Sequence, residues 1–311
     1  MEITLSSATA KSYLGSFSPD SLLLKRSKLS QWDQYSISFS QTKRIEQALF
    51  GQAVSLSRKN NFVKVISCIK KEAFIVEGRS IDEIYDALAS RLLPTAAVTA
   101  NPDYKYIVGL AGPPGSGKTT LASEVVQRLN ELWPQKASSL DSQVKPLNVA
   151  TVLPMDGFHL YRSQLDAMED PEEAHARRGA PWTFNPEILL TCLKTLRNRG
   201  SVSAPSFDHG VGDPVEDGIF VSLEHKVVIV EGNYLFLEDG TWKEISALFD
   251  EKWFIEIDID KAMQRVVKRH ISTGKPPDVA KWRIEYNDRP NAELIMKSKR
   301  KADLVIRSVD F

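Results

Sequence analysis

The stretch "GPPGSGKTT", Gly112 to Thr120, sets glycines, a lysine and two threonines in the GxxxxGK[ST] spacing. That spacing wraps backbone N–H groups around phosphate oxygens. Glycine allows the positive φ angles and the close approach of backbone to ligand that such a loop needs. A helix predicted from Thr119 turns its positive end toward the same anion, and Lys118 adds an ammonium. The phosphate-contacting set is therefore Gly112, Gly115, Ser116, Gly117, Lys118, Thr119 and Thr120, with the Thr119 hydroxyl placed for Mg²⁺. Pro113 and Pro114 have no N–H, but they precede the donors and stiffen the entry to the loop. The loop alone leaves the fate of the phosphate open: hydrolysis, transfer to a small molecule, transfer to a protein, or binding without chemistry.

Phosphoryl transfer asks for positioning and charge neutralisation, plus a base for the attacking hydroxyl. Asp156, in "PMDGFH", falls just past the carboxyl end of a predicted strand, where open α/β sheets bind ligands. It is the candidate base, and it could also hold Mg²⁺ through water; the competing reading is a turn-forming Asp-Gly pair. Glu231, ending "VVIVEG", is the candidate second acid near the metal, against a plain strand-end charge. Arg265 and Arg269 stand at i and i+4 on one helix face, followed by the Gly/Pro-bearing "STGKPP". A closing lid would look like this, with cations over the transferring group and water excluded; a solvated basic face is the alternative. In "RRGAPWTF" and "SFDHG", Arg178, Phe184, Asp208 and His209 are candidates for the acceptor side. Aromatic residues at such spacing are more often core, and a lone histidine more often structural.

The elements that must position these groups alternate between strand and helix. Strands are predicted at Tyr106–Ala111, Asn148–Leu153, within "KVVIVEGNYLF", at Glu251–Ile259 and in "ADLVIRS". The first strand is followed by a helix from Thr119 to about Trp133, stopped by Pro134, and the second runs beside it into Asp156. Pro186–Arg199 reads as a helix ended by Gly200, and "DKAMQRVVKRHIS" as one capped by Asp260. The fully apolar strand before Glu231 means a sheet covered on both faces. The expected fold is an α/β doubly wound parallel sheet of about five strands, flanked by helices, with a helical lid. Before it, "SIDEIYDALASRLLP" reads as an N-terminal helix with Ser80 as its cap, within a segment 72–104 that leads to a domain at 105–311.

Basic and acidic residues balance at 40 each, so no global field argues for a nucleic-acid partner. The balance hides a segment, residues 1–71, with 11 basic and 4 acidic side chains, a charge of +7. It is serine-rich and lacks periodicity, which predicts a transit peptide, plastid first and mitochondrion second, with a disordered regulatory tail in the cytoplasm as the alternative. No apolar run approaches the roughly 20 residues of a membrane span. Cys68 and Cys192 have neither metal-type spacing nor a disulfide framework.

Taken in order, "GPPGSGKTT", "PMDGFH", "RRGAPWTFNPEIL", "APSFDHGVGDP", "VVIVEGNYL", "RVVKRHISTG" and "NDRPNAELI" resemble the phosphoribulokinase/uridine kinase family of P-loop kinases. The resemblance covers roughly Tyr106 to Ser308. It implies a P-loop NTPase fold, ATP and Mg²⁺ as cofactors, a small-molecule acceptor with no nucleic-acid or membrane partner, and a homodimer as one possible assembly. It carries the catalytic aspartate onto Asp156, the loop lysine and metal hydroxyl onto Lys118 and Thr119, the strand-end acid onto Glu231, and the lid arginines onto Arg265 and Arg269. "MDGFH" and "RRGAPWTF" are most similar to bacterial-type pantothenate kinases and to nucleoside or nucleotide kinase-like members, and the pantothenate kinase acceptor histidine matches His209. Phe207 stands where those kinases have tyrosine, and Asp208 is more like the uridine kinase pattern. A nucleoside acceptor is thereby favoured, with pantothenate, sugar or glycerate, and a P-loop ATPase switch, as alternatives. The regulatory cysteines of plant phosphoribulokinases are missing near the phosphate loop.

Overall fold

The computed structural model describes residues 73–94, 101, 103–138, 148–208 and 210–307, with 135–138 described by backbone alone. These belong to one compact unit, Cys68–Phe311. The expected transit peptide and His209 lie outside the described residues.

In chain order the elements are β1 (Phe74–Val76), α1 (Ile81–Arg91), β2 (Tyr106–Ala111), α2 (Lys118–Ser138), β3 (Ala150–Pro154), α3 (Arg162–Asp166), α4 (Pro171–Ala176), α5 (Pro186–Arg199), β4 (Val202–Asp208), β5 (Asp213–Val221), β6 (Val227–Gly232), α6 (Gly240–Ala247), β7 (Glu251–Glu256), α7 (Ile259–Ser272), α8 (Pro277–Arg283), α9 (Arg289–Lys297) and β8 (Leu304–Arg307). Six strands form a parallel sheet in the order β1-β8-β7-β2-β6-β3. The sixth, β1, is an edge strand that the sequence reading did not anticipate. The same order corrects the expectation that β3 neighbours β2, because β6 runs between them. β4 and β5 form a separate antiparallel hairpin outside that sheet.

Period-2 alternation sends side chains of one strand to two cores. Val228 and Val230 join Leu189, Leu193, Phe236 and Phe249 on one face. Val227 and Ile229 join Leu88, Val125, Leu129 and Trp133, from α1 and α2, on the other. Each such side chain, fully buried, contributes roughly 1.5–3 kcal/mol relative to exposure. A third cluster of Ile257, Ala262, Met263, Val266, Ile284 and Ala292 gives the α7–α9 region a core of its own.

Helix ends follow local chemistry. The Ser80 hydroxyl accepts from Glu83 N at α1, and Gly200 ends α5 as the sequence predicts, while the Asn185 side chain caps its start by accepting from Ile188 N. α7 begins two residues earlier than expected, because the Asp258 carboxylate, not that of Asp260, accepts from Lys261 N. Pro134 does not stop α2, which runs to Ser138; a proline forfeits its own N–H and strains one turn, but later residues can resume the ladder. Among the described residues no helix is long and apolar enough to cross a membrane.

Candidate active site

The carboxyl ends of β2, β3 and β6 converge on one cleft of about 450 Å³. Lys118, Thr119, Thr120, Gly115 and Gly117 line it together with Asp156, Glu231, Arg265 and Arg269. Residues spread over more than 150 positions of sequence are thus brought to one place by the strand ends.

Gly115 and Gly117 have φ of 77° and 86°, the left-handed region that glycine enters without strain. A Cβ on Gly115 would stand 2.5 Å from the Ala262 carbonyl oxygen of α7, whereas one on Gly117 would meet nothing within 4 Å. The loop is therefore pressed against the lid helix on one side and open on the other, as a phosphate cradle must be. Ser116 Oγ, at the loop's centre, is buried with no hydrogen-bond partner. Gly112 lies behind the loop, where a Cβ would crowd Ser116 Oγ at 2.9 Å.

Lys118 is 8% exposed and its Nζ donates to Pro113 O at 3.0 Å. Burial pushes its pKa down to about 8, assisted by Arg269, although Glu231 and Asp156 favour the charged form. Glu231 lies on β6, paired in register with Leu110 of β2 and Pro154 of β3. Burial raises its pKa, opposed by the Lys118 ammonium and by the hydrogen bond from Thr119. Thr119 Oγ1 donates to Glu231 Oε1 at 3.0 Å.

Asp156 sits in the one-turn 3₁₀ helix Met155–Phe158 that β3 runs into. The turn is pinned from both sides. His159 donates through N and Nδ1 to Asp156 O at 3.2 and 2.8 Å, and a Cβ on Gly157 would overlap the Pro205 carbonyl of the hairpin. Only glycine lets the hairpin seat that close behind Asp156. Arg265 Nη1 reaches Gly115 O at 3.4 Å, and His270 Nε2 meets Asp288 Oδ2 at 2.8 Å, joining α7 to the turn before α9.

The donor set suits Mg²⁺, a hard ion that takes one or two protein oxygens beside substrate phosphates and water. Thr119 and the two carboxylates supply such oxygens, and among the described residues no denser cluster of His, Cys, Asp or Glu competes.

The acceptor-side candidates are less concentrated. Phe184 is buried, packed 3.9 Å from the His159 ring and against Tyr234 and Trp242. Asp208 Oδ1 accepts from Gly210 N and Val211 N at 2.7 and 3.1 Å, shaping the hairpin turn. Arg178 donates to Leu160 O and to Asp213, and lines a different cavity. Sequence reasoning missed Asn233, which lines the cleft two residues after Glu231; a polar residue just past a strand's carboxyl end is the signal that could have found it. It also missed an apolar cleft of about 240 Å³ in which Ile81, Ile84 and Tyr85 of α1 meet Ser116, Gly117, Thr120, Arg265 and Ile306.

The model of the Phosphoribulokinase / Uridine kinase family matches residues 107–311. The chain belongs to this family. Among its relatives is a Schizosaccharomyces pombe protein named as a candidate uridine kinase, 33% identical over 235 residues, or 74% of this chain and 91% of that one. An ATP-dependent kinase-like protein of Aspergillus versicolor is 44% identical over 152 residues, 47% of this chain and 88% of its own. The crystal structure of a candidate fructose transport system kinase from Silicibacter sp. TM1040 matches with a TM-score of 0.59 and 29% identity, over 73% of this chain and 99% of that chain. As a phosphoribulokinase/uridine kinase family member, the chain is a P-loop kinase, an ATP-dependent phosphotransferase.

Proposed function

We propose that the protein transfers the γ-phosphate of Mg-ATP to a hydroxyl of a small molecule. The observation that carries this is the convergence of Asp156, Lys118, Glu231, Arg265 and Arg269 on one cleft with the phosphate loop. The acceptor oxygen bonds to the γ-phosphorus, the bond from that phosphorus to the bridging oxygen of ADP breaks, and the hydroxyl proton passes to Asp156. When bound, Mg²⁺ neutralises charge on the β- and γ-oxygens; Thr119 and Glu231, with Asp156, are the residues that would hold it. Lys118 binds the phosphates, and Arg265 and Arg269 complete the charge over the transferring group while the lid keeps water out. The apolar cleft walled by α1 and Ile306 supports a place for the nucleotide base beside the loop.

A nucleoside is the acceptor class favoured by the sequence, and the name of the S. pombe relative supports it. Coupled ADP release over nucleosides, pantothenate, glycerate and sugars is the test. Release that is the same with and without every acceptor would favour an ATPase switch instead. For location we propose plastid import, supported by the +7, serine-rich residues 1–71. A fluorescent fusion of residues 1–75 spread evenly through the cytosol would sink it.

A further inference from the structure

A second polar cavity, of about 330 Å³, is walled by Arg162, Arg178, Lys275, Arg283 and His175. Four permanent cations gathered in one small space repel one another. Such an arrangement is tolerated where an anion completes it. The carboxylates nearby do so only in part. Asp213 accepts from Arg178 Nη2 at 3.2 Å and from the Arg162 backbone N at 2.8 Å, and Asp166 pairs with His175 at 2.7 Å. Among the described residues no carboxylate forms an ion pair with the Arg162 guanidinium, Lys275 or Arg283. Arg283 Nε is moreover buried without any hydrogen-bond partner. A buried guanidinium donor left unmatched is costly, and planar guanidinium forks match the oxygens of phosphate and carboxylate.

The cavity's position gives the anion a role. Arg162 and Arg178 come from the chain that follows Asp156, and Arg178 donates to Leu160 O, four residues beyond the base. Lys275 and Arg283 come from the chain just after α7, which carries Arg265 and Arg269. The segments that follow the Asp156 turn and α7 therefore wall the cationic cavity, and Arg178 lies over the Phe207 ring, itself 4.7 Å from the ring of His159, three residues after Asp156.

We infer that the acceptor carries an anionic group, a phosphate monoester or a carboxylate, held by Arg162, Lys275 and Arg283 while its hydroxyl faces Asp156. Arg178, already braced by Asp213, shapes the wall and adds field. This inference rests on the kinase reading above and narrows its acceptor to anionic hydroxyl compounds, so a nucleoside monophosphate is preferred to the free nucleoside.

The test uses the full-length protein with Mg-ATP and matched acceptors: uridine with uridine 5′-monophosphate, fructose with fructose 6-phosphate, and glycerol with glycerate. The expected result is that kcat/KM is roughly tenfold or more higher for an anionic member than for its neutral partner, the worth of one charge-assisted hydrogen bond. Phosphate and carboxylate arms separate the two anions. Arg283→Gln and Lys275→Gln should each raise KM for that acceptor by about tenfold or more while leaving KM for ATP in place. Better turnover of the neutral members, or an acceptor KM that neither variant moves, overturns the inference and leaves the kinase reading standing. If no acceptor releases ADP, the kinase reading fails, and titration of inorganic phosphate into protein saturated with Mg-ADP decides the cavity separately. One phosphate site lost in Arg283→Gln is expected there, and no heat of binding overturns it.

Discussion

The Thr119 hydroxyl donates to Glu231 Oε1 across 3.0 Å, tying the first turn of α2 to the end of β6. The bond aims a hydroxyl and a carboxylate at the same point beside the phosphate loop. Thr119→Val keeps the shape and removes the oxygen. Turnover should fall by about a hundredfold, with a higher Mg²⁺ concentration needed for half-maximal rate. An unchanged Mg²⁺ titration would take Thr119 off the metal.

Asp156→Asn retains the size of the side chain and its turn but cannot accept the proton. ATP binding should persist while transfer slows on the order of a hundredfold or more. Equal single-turnover rates in the variant and the parent would remove Asp156 from the role of base.

Arg269 lines the cleft that holds Lys118 and the phosphate loop, which under the proposed transfer would set it over the phosphates. Arg269→Ala should lower kcat far more than it weakens ATP binding, by roughly a hundredfold against a few-fold. The reverse pattern, measured by stopped-flow binding beside steady-state rates, would count against a lid.

Gly115→Ala would press a methyl against the Ala262 carbonyl at 2.5 Å and force a non-glycine residue to φ 77°. Strain of this kind costs of order 1–3 kcal/mol. We expect a lowered melting temperature and loss of stabilisation by added ATP, read in one thermal-shift series.

Lys118, with a pKa of about 8, is charged below that pH and neutral above it in the free protein. Its folded value is depressed, so the unfolded chain holds more protons between about 8 and 10.5, and this residue's contribution to stability rises with pH across that window. Nucleotide binding runs the other way. Bound phosphates favour the ammonium, so affinity for ATP should be flat below pH 8 and fall above it. Fluorescent-nucleotide titrations from acid to alkaline buffer check the sign; affinity that climbs above pH 8 would falsify it.

The phosphate loop, Asp156, Glu231 and the lid arginines were legible because each is a short local pattern at a strand end or on one helix face. Strand order was not, since nothing local in Ala150–Pro154 says that β6 intervenes before β2. β1 escaped because three residues carry too little periodicity. Asp258 and Asp260 are both competent caps, and the choice between them depends on where β7 releases the chain. The cationic cavity was least legible of all, as Arg162 and Arg283 lie more than a hundred residues apart and meet only through the fold.

The three residues of β1 have one more effect. They pair with Leu304, Val305 and Ile306 along the outer side of β8, yet they precede the region matched by the family, residues 107–311. A version shortened to the family region would leave the β8 ladder open, a bare apolar edge able to template aggregation. The short strand thus closes the β8 ladder, and a protein trimmed for expression should keep Phe74–Val76.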